Sequence, residues 1–174
     1  EQKMIILDVE RDQVDSLTAG LEALDFQVNA SPFRRGTMAC TGIEFCKLAI
    51  VETKARGAAL IDELERRMPD FEEPLSININ GCPNACARIQ TADIGLKGQL
   101  MLDGDGNQVE GYQVHLGGAL GLEAGFGRKV RGLKVTSAEL PDYVERVLGK
   151  FQEEREEDER FATWAARASA ESLS

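Results

Sequence analysis

The first thirty residues combine short apolar runs with a helical pattern. MIILDV (4–9) is a continuous apolar run of strand length. The apolar residues after it recur at the spacing of one helical face: Val14, Leu17, Leu21 and Leu24. Phe26 and Val28 then alternate as in a second strand. A strand–helix–strand unit has too few elements to enclose a core alone, so residues 1–30 are expected to be the end of a domain.

The segment SPFRRGTMA (31–39) is a predicted domain boundary, because it carries Pro, Gly and two arginines. A helix is predicted to begin directly after it. Thr41 and Glu44 have the T-x-x-E spacing of a capping box, which makes Thr41 the expected N-cap. Cys40 would then lie just before the helix and Cys46 in its second turn.

The helical pattern continues to Pro69, with a possible interruption at Gly57. Its apolar face consists of Leu60, Ile61, Leu64 and Met68. LSININ (75–80) alternates apolar and polar residues, which predicts a half-buried strand with its three asparagine and serine side chains outward. This strand leads directly into GCPNAC (81–86), where Pro83 is expected to start a helical turn.

Two further strands are predicted over Ile94 to Leu102 and Val109 to Leu116, joined by a DGDGN hairpin turn. The alternating acids of this turn do not form an EF-hand loop, which would need Gly at position 108 and Glu at position 114, where the sequence has Gln108 and Val114. The Gly-rich segment 117–129 that follows matches no nucleotide-binding pattern. It is either a flexible connection or a place where backbone approaches a flat cofactor closely.

The C-terminal region is predicted to be helical. One helix, with Ser137 as its expected N-cap, has an apolar face made of Leu140, Tyr143, Val144, Val147, Leu148 and Phe151. EEREEDER (153–160) reads as a solvated helical face. Phe161, Trp164 and Ala168 indicate a last short helix that packs on the body. The mixture of strands and helices predicts an α+β (mixed α/β) fold. We expect one domain over residues 31–149, followed by an acidic helical tail over residues 150–174.

Composition narrows the class of function. The 174 residues suit one compact domain, or one domain with a fragment of another. A net charge of -10 disfavours nucleic-acid binding, because phosphate backbones repel such a surface. The apolar runs are too short to cross a bilayer, which disfavours a membrane role. We therefore expect a cytoplasmic protein.

The four cysteines form two close pairs, C-x5-C in CTGIEFC (40–46) and C-x3-C in GCPNAC (81–86). In the reduced cytoplasm such pairs favour a metal over disulfides, and two pairs are improbable as unrelated core residues. Zinc ligands usually have closer spacing than C-x5-C. Iron–sulfur clusters tolerate varied spacing, and four thiolates saturate one [4Fe–4S] unit. The residues alone thus favour a cluster and leave zinc open.

C-x5-C followed by G-C-P-N-x-C resembles the cluster-binding half of the sirohaem-dependent sulfite and nitrite reductases. The flanking residues add to this resemblance: ACTGIEFCKLAIVETKAR, NINGCPNACARIQTADIGLKG, YQVHLGG and GFGRK. They are most similar to the ferredoxin-dependent branch and, within it, to the actinobacterial sulfite reductases. The resemblance covers about residues 3–168. The family's chains are much longer, and the N-terminal half that supplies most of the anion-binding and sirohaem-binding cations has no counterpart here.

This resemblance implies a sirohaem and [4Fe–4S] reductase C-terminal domain, preceded at 1–30 by the tail of a ferredoxin-like half-domain. It implies a six-electron reduction of sulfite to sulfide with electrons from ferredoxin. The alternatives are reduction of nitrite to ammonia or, for this chain by itself, a non-catalytic iron–sulfur domain. The chain alone, without the family's N-terminal half as partner, is expected to reduce neither anion.

The resemblance also assigns residues. Cys40, Cys46 and Cys82 would bind only the cluster, while Cys86 would bridge the cluster to the sirohaem iron. Asn84 is expected to hydrogen-bond a sirohaem carboxylate or a cluster sulfur, and His115 is the rival axial ligand. Two sets of basic residues remain: Arg34, Arg35, Lys54 and Arg56 for docking the acidic ferredoxin, and Arg88, Arg128, Lys129 and Arg131 for holding part of the sirohaem.

Overall fold

The computed structural model describes residues 5–121 and 124–174. Its core is one five-stranded mixed sheet in the order β1-β2-β3-β4-β5. The strands are β1 (Thr37–Ala39), β2 (Ile77–Asn80), β3 (Ile94–Leu102), β4 (Gln108–Leu116) and β5 (Arg128–Thr136). The helices are α1 (Val14–Glu22), α2 (Pro32–Gly36), α3 (Lys54–Arg67), α4 (Leu140–Glu154) and α5 (Phe161–Arg167), with short 3-10 turns at Arg11–Gln13 and Ile89–Thr91. The predicted mixed α/β fold is confirmed.

The two faces of the sheet differ in chemistry. β1, β2 and β3 run parallel, and β4 and β5 complete the sheet antiparallel. One face packs against α3, α4 and α5 through an apolar core that includes Leu64, Ile77, Val114 and Trp164. The opposite face carries polar side chains, and from β2 to β4 these are Asn78, Asn80, Lys97, Gln99, Gln113 and His115. We call this the polar face.

The N-terminal region forms α1 as predicted but neither of the two predicted strands. Residues 5–9 and 26–28 are irregular, and Met4 lies outside the described residues. Ile5 and Leu7 are 78% and 74% exposed, and α1 buries none of its residues. An apolar run becomes a strand only when a neighbour pairs with it, and none of the described residues pairs with this one. The assignment of residues 1–30 to a half-domain stays a prediction.

The prediction of a helix that begins at Thr41 is wrong: residues 41–50 form turns, and α3 begins at Lys54. Gly42 has a φ of +78°, a left-handed conformation that breaks a helix after its first residue. The buried Thr53 hydroxyl donates to the carbonyl of Cys40 over 2.9 Å and closes the segment into a loop. Gly57 does not interrupt α3: it is buried where a side chain would meet Ile79.

Strand β2 is buried on both faces instead of half-buried as predicted, because the chain after it folds back over the polar face. The Asn78 amide donates to the carbonyl of Arg88 over 3.2 Å. Pro83 starts no helical turn, and the next regular element is the 3-10 turn Ile89–Thr91. Its backbone lies on Gly95, where a Cβ would come within 2.0 Å of the Ile89 oxygen. The glycine allows this close crossing.

The predicted β3–β4 hairpin is confirmed, and its turn is held by one aspartate. Asp103 Oδ1 accepts the backbone N–H groups of Asp105 and Asn107 over 3.0 and 2.8 Å. These hydrogen bonds, with one from the Asn107 side chain, lower the pKa of Asp103 below its usual value. The turn therefore stabilises the hairpin.

The Gly-rich segment that follows β4 lies on protein backbone. The N–H groups of Gly117 and Gly118 donate to the carbonyls of Asp93 and Ala92 over 2.9 and 3.0 Å. A Cβ on Gly118 would come within 2.4 Å of the Gln90 oxygen. Gly118 thus approaches the 90–93 segment of the same chain closely, and the approach of this segment to a flat cofactor stays a prediction. Residues 122 and 123 lie outside the described residues.

The C-terminal helices are confirmed, although the predicted cap is wrong. Ser137 does not cap α4, and its buried hydroxyl has no partner among the described residues. The N-cap is Glu139, which makes no side-chain cap hydrogen bond. Its N–H donates to Thr136 Oγ1 over 3.2 Å and its Oε2 accepts the Thr136 N–H over 3.2 Å, which closes the turn before the helix. Phe161 and Trp164 of α5 pack on Phe151 with ring centroids 5.4 and 5.6 Å away.

EEREEDER is not a continuous helical face, because α4 ends at Glu154 and a turn leads to α5. Several of its charges are used within the chain. Glu154 accepts the Trp164 indole N–H over 3.1 Å, Arg155 pairs with Glu73, and Glu159 pairs with Arg167 over 2.6 Å. None of the described helices is long and apolar enough to cross a membrane.

Candidate cluster-binding site

The two cysteine pairs lie on loops that leave the sheet at the same edge. Cys40 follows β1 and Gly81 follows β2, and these strands are parallel neighbours with Ala39 beside Ile79. The N–H of Cys40 extends the ladder by donating to the carbonyl of Ile79 over 2.9 Å. The carboxyl ends of adjacent parallel strands meet at one edge, which is the usual place for a ligand in such sheets. Parallel pairing therefore brings together cysteines that are forty residues apart in sequence.

Backbone hydrogen bonds join the two loops. The N–H groups of Ile50 and Val51 both donate to the carbonyl of Gly81, over 2.7 and 3.2 Å. A Cβ on Gly81 would come within 2.9 Å of the Val51 oxygen, so a glycine is needed for this approach. The Tyr112 hydroxyl on β4 adds a hydrogen bond of 2.7 Å to the carbonyl of Glu52. The first loop is thus fixed against both the second loop and the sheet.

The four cysteines are free thiols that differ in exposure. Cys82 is buried, Cys40 and Cys46 are half-buried, and Cys86 is exposed. Cys40 Sγ already accepts the N–H of Gly81 over 3.3 Å. A backbone N–H directed at sulfur stabilises a thiolate, and such hydrogen bonds tune iron–sulfur clusters.

The cysteines suit a cluster better than a single ion. A structural zinc site needs four ligands within about 2.3 Å of one point. Among the described residues, no three or more His, Cys, Asp or Glu side chains are placed to hold one metal ion. A cubane carries its irons at separate corners and accepts more widely spaced thiolates. The free thiols, the joined loops and the N–H directed at Cys40 Sγ therefore fit a [4Fe–4S] cluster.

Asn80 is a site residue that sequence analysis missed. It is 1% exposed, although it was predicted to face outward. Its Oδ1 accepts the N–H of Ala87 over 2.7 Å, which links the start of the loop 81–86 to its end. Its Nδ2 is buried and has no partner among the described residues. A polar residue at the last position of an apolar strand, directly before a cysteine loop, was the available signal. Asn84, in contrast, is exposed at the loop tip.

His115 does not lie beside the cysteine loops. It is on β4, where it pairs with Gly95 of β3, so one whole strand separates it from β2. The backbone of Ile89 crosses the polar face above Gly95. Burial, together with the charges of Lys97 and Lys129, lowers the pKa of His115, so its imidazole is neutral at pH 7. Its Nε2 is buried without a partner in residues 5–121 and 124–174.

The basic residues predicted for binding differ in what they contact. Arg34 is neutralised within the chain by Glu65 and Asp62, over 2.6 and 2.8 Å. Arg128 donates to the carbonyl of Ala168 over 2.8 Å, and the Lys54 ammonium lies 5.0 Å from the Phe45 ring centroid. Three exposed arginines surround a cavity of about 750 Å³ that reaches Asn78 of the polar face: Arg35, Arg88 and Arg160. Arg131 is exposed on β5.

Known proteins resemble this chain closely. It is 57% identical to "Sulfite reductase [ferredoxin] 2" of Mycolicibacterium paratuberculosis, over 99% of this chain and 32% of the relative. It is 37% identical to "Ferredoxin--nitrite reductase" of Synechococcus elongatus, over 85% of this chain and 28% of the relative. The solved structure of the Mycobacterium tuberculosis NirA protein matches with a TM-score of 0.90 and 56% identity, over 97% of this chain and 32% of that one.

The chain spans about a third of the length of these relatives. The family model described as "Nitrite and sulphite reductase 4Fe-4S domain" matches residues 30–174, which include all four cysteines. The high structural similarity agrees with the sheet and loops described above. This chain therefore belongs to the nitrite and sulphite reductase 4Fe-4S domain family.

Proposed function

We propose that the chain is the cluster-binding part of a ferredoxin-dependent assimilatory sulfite reductase that reduces sulfite to sulfide in the cytoplasm. The observation that carries this proposal is the placement of the four free cysteines on two joined loops at one sheet edge. Sulfite over nitrite is supported by identity, since sulfite reductases match at 56–57% and nitrite reductases at 35–37%. Nitrite reduction is the second candidate. Assay of the holoenzyme with both anions decides between them through the ratio of their kcat/KM values.

The residues of this chain have distinct roles in the proposal. Cys40, Cys46 and Cys82 hold the cluster from buried and half-buried positions that keep water away. Cys86 is exposed, which suits a thiolate that must also reach a second metal centre. The sirohaem supplies the iron at which the anion is reduced. Asn84 lies beside Cys86 at the exposed loop tip and is placed to hydrogen-bond that cofactor.

This chain supplies only some of the cations that would bind the carboxylates of the sirohaem. Arg88, close to Cys86 in the chain, lines the arginine-rich cavity, and Lys129 lies on the sheet beside His115. Arg131 is exposed and available. Arg128 is already hydrogen-bonded to Ala168, so it serves the C-terminal segment. We propose that Arg88, Lys129 and Arg131 contact the sirohaem, and that the remaining cations come from the rest of the enzyme.

The first prediction concerns the metal content. Anaerobic reconstitution should yield about four irons and four sulfides for each chain, because four thiolates saturate one cubane. Iron and acid-labile sulfide analysis measures this ratio. Tight stoichiometric zinc, with iron rejected, would contradict it. Cys46→Ser should lose most of the iron, whereas Ser16→Ala, on a helix that buries none of its residues, should keep it.

The second prediction concerns ferredoxin docking. Ferredoxins are acidic, so encounter should use the basic surface that includes Arg35, Lys54 and Arg56 rather than the acidic turn. Glu156, Glu157 and Asp158 form no side-chain hydrogen bond or ion pair with the described residues. Their joint change to Gln, Gln and Asn should leave the KM for ferredoxin unchanged or lower. Steady-state turnover of the holoenzyme at several salt concentrations measures it.

The matched control for this prediction reverses one positive charge. Lys54→Glu should raise the KM for ferredoxin several-fold, and added salt should reduce the difference from the unchanged enzyme. A large rise in KM in the triple acidic variant, with none in Lys54→Glu, would place the docking surface at the acidic turn.

A further inference from the structure

Asn80 combines burial with an unused hydrogen-bond donor at the point where the cysteine loop begins and ends. It is the last residue of β2 and is 1% exposed. Gly81 follows it and donates its N–H to Cys40 Sγ over 3.3 Å. Ala87, which follows Cys86, donates its N–H to Asn80 Oδ1 over 2.7 Å. One side chain thus closes the loop that carries Cys82 and Cys86.

The orientation of the Asn80 amide is fixed by its partner. A backbone N–H can only donate, so the atom that faces Ala87 N must be the oxygen. The NH₂ group, on the opposite edge of the planar amide, therefore points away from Ala87 N. In residues 5–121 and 124–174 it meets no acceptor, and its nitrogen is buried from solvent. A buried donor without an acceptor is destabilising, so this position indicates an acceptor that the polypeptide does not supply.

Sulfur is the acceptor that the surroundings favour. The loop closed by Asn80 carries two of the four cysteines, and Cys40 Sγ accepts from the residue next to Asn80. The neighbouring asparagine on the same face has no such need, because the Asn78 amide already donates to the Arg88 carbonyl over 3.2 Å. Thiolate and sulfide sulfurs of an iron–sulfur cluster accept N–H hydrogen bonds, and these bonds help to set its potential.

We propose that Asn80 is a positioning residue for the cluster. Its Oδ1 holds the backbone after Cys86, and its Nδ2 donates a hydrogen bond to a sulfur of the cluster or of its cysteine ligands. The inference rests on the proposed function. A donor directed at sulfur stabilises the more negative, reduced cluster more than the oxidised one, so Asn80 raises the reduction potential.

The test is a magnetic measurement on the holoenzyme, made with asparagine labelled with ¹⁵N in its side-chain amide. In the reduced, paramagnetic state, pulsed electron paramagnetic resonance should show a hyperfine coupling from a side-chain ¹⁵N. Asn80→Asp keeps an oxygen that can face Ala87 N–H but has no amide nitrogen. It should therefore retain the cluster, lose this coupling and have a lower midpoint potential.

Asn78→Asp is the matched control, because it adds the same charge two residues earlier on the same face. It should keep the coupling and lower the potential less. If Asn80→Asp shows the same ¹⁵N couplings as the unchanged enzyme, they come from another asparagine such as Asn84, and the inference is overturned. The inference is also overturned if the labelled, unchanged enzyme shows no side-chain ¹⁵N coupling. This outcome can be read even if Asn80→Asp does not assemble a cluster. Lack of any [4Fe–4S] cluster in the unchanged holoenzyme would instead overturn the proposed function.

Discussion

Cys86→Ser is expected to abolish the magnetic coupling between sirohaem and cluster in the holoenzyme and to lower sulfite turnover more than about 100-fold. Loss of a supporting residue near a metal site already costs 10- to 100-fold, and Cys86 is proposed to be a direct ligand of both centres. A thiolate has a second lone pair for the bridge, and a bridge of one atom couples two centres better than a gap. The exposure of Cys86 beside three less exposed cysteines supports this assignment.

Two comparisons separate this role from that of an ordinary cluster ligand. His115→Ala should keep the coupling, because His115 lies on β4 and is separated from β2 by β3. Cys46→Ser should reduce the iron content without producing an uncoupled sirohaem beside an intact cluster. Electron paramagnetic resonance and Mössbauer spectra of the purified holoenzymes measure both results. Coupled, active sirohaem in Cys86→Ser, together with loss of coupling in His115→Ala, would show that the histidine is the axial ligand.

The sequence correctly predicted those elements whose stabilising contacts come from residues nearby in the chain. The β3–β4 hairpin has alternating strands and a turn that Asp103 closes within five residues. α4 and α5 have apolar faces that meet in the cluster of Phe151, Phe161 and Trp164. In these cases the local sequence pattern and the tertiary packing favour the same conformation, so the pattern predicts the secondary structure correctly.

Predictions failed where a distant residue decides the local conformation. The T-x-x-E pattern at Thr41 predicts a helix, but the Thr53 hydroxyl donates to the Cys40 carbonyl and holds residues 41–52 in a loop. The apolar residues 5–9 have no strand beside them among the described residues, so their pattern lacks the partner that would make it a strand. The burial of Asn80 follows from the chain crossing over β2, and alternation within one strand cannot reveal such a crossing.

The same segment crosses β3 directly over Gly95, and Gly95→Ala is expected to disturb both the fold and the cluster. Gly95 lies on β3 under the 3-10 turn, and a Cβ there would be 2.0 Å from the oxygen and 2.8 Å from the carbonyl carbon of Ile89. These are backbone atoms, so the turn or the strand must shift. Overpacking of this kind typically costs about 1–3 kcal/mol. The shifted segment begins directly after Cys86 and Ala87, so iron uptake should fall as well.

Gly149→Ala is the matched control, because Gly149 lies inside α4 with no atom within 4 Å of its added Cβ. Alanine in a helix interior is more stable than glycine by roughly 0.5–1 kcal/mol, so this variant should unfold at higher urea. The unchanged chain and both variants would be reconstituted anaerobically in parallel, and then compared by urea unfolding midpoint and iron content. Gly95→Ala should have a lower midpoint and less iron than the unchanged chain. If it has a full iron content and unfolds at the same urea concentration as Gly149→Ala, the close crossing over Gly95 does not position the second cysteine loop.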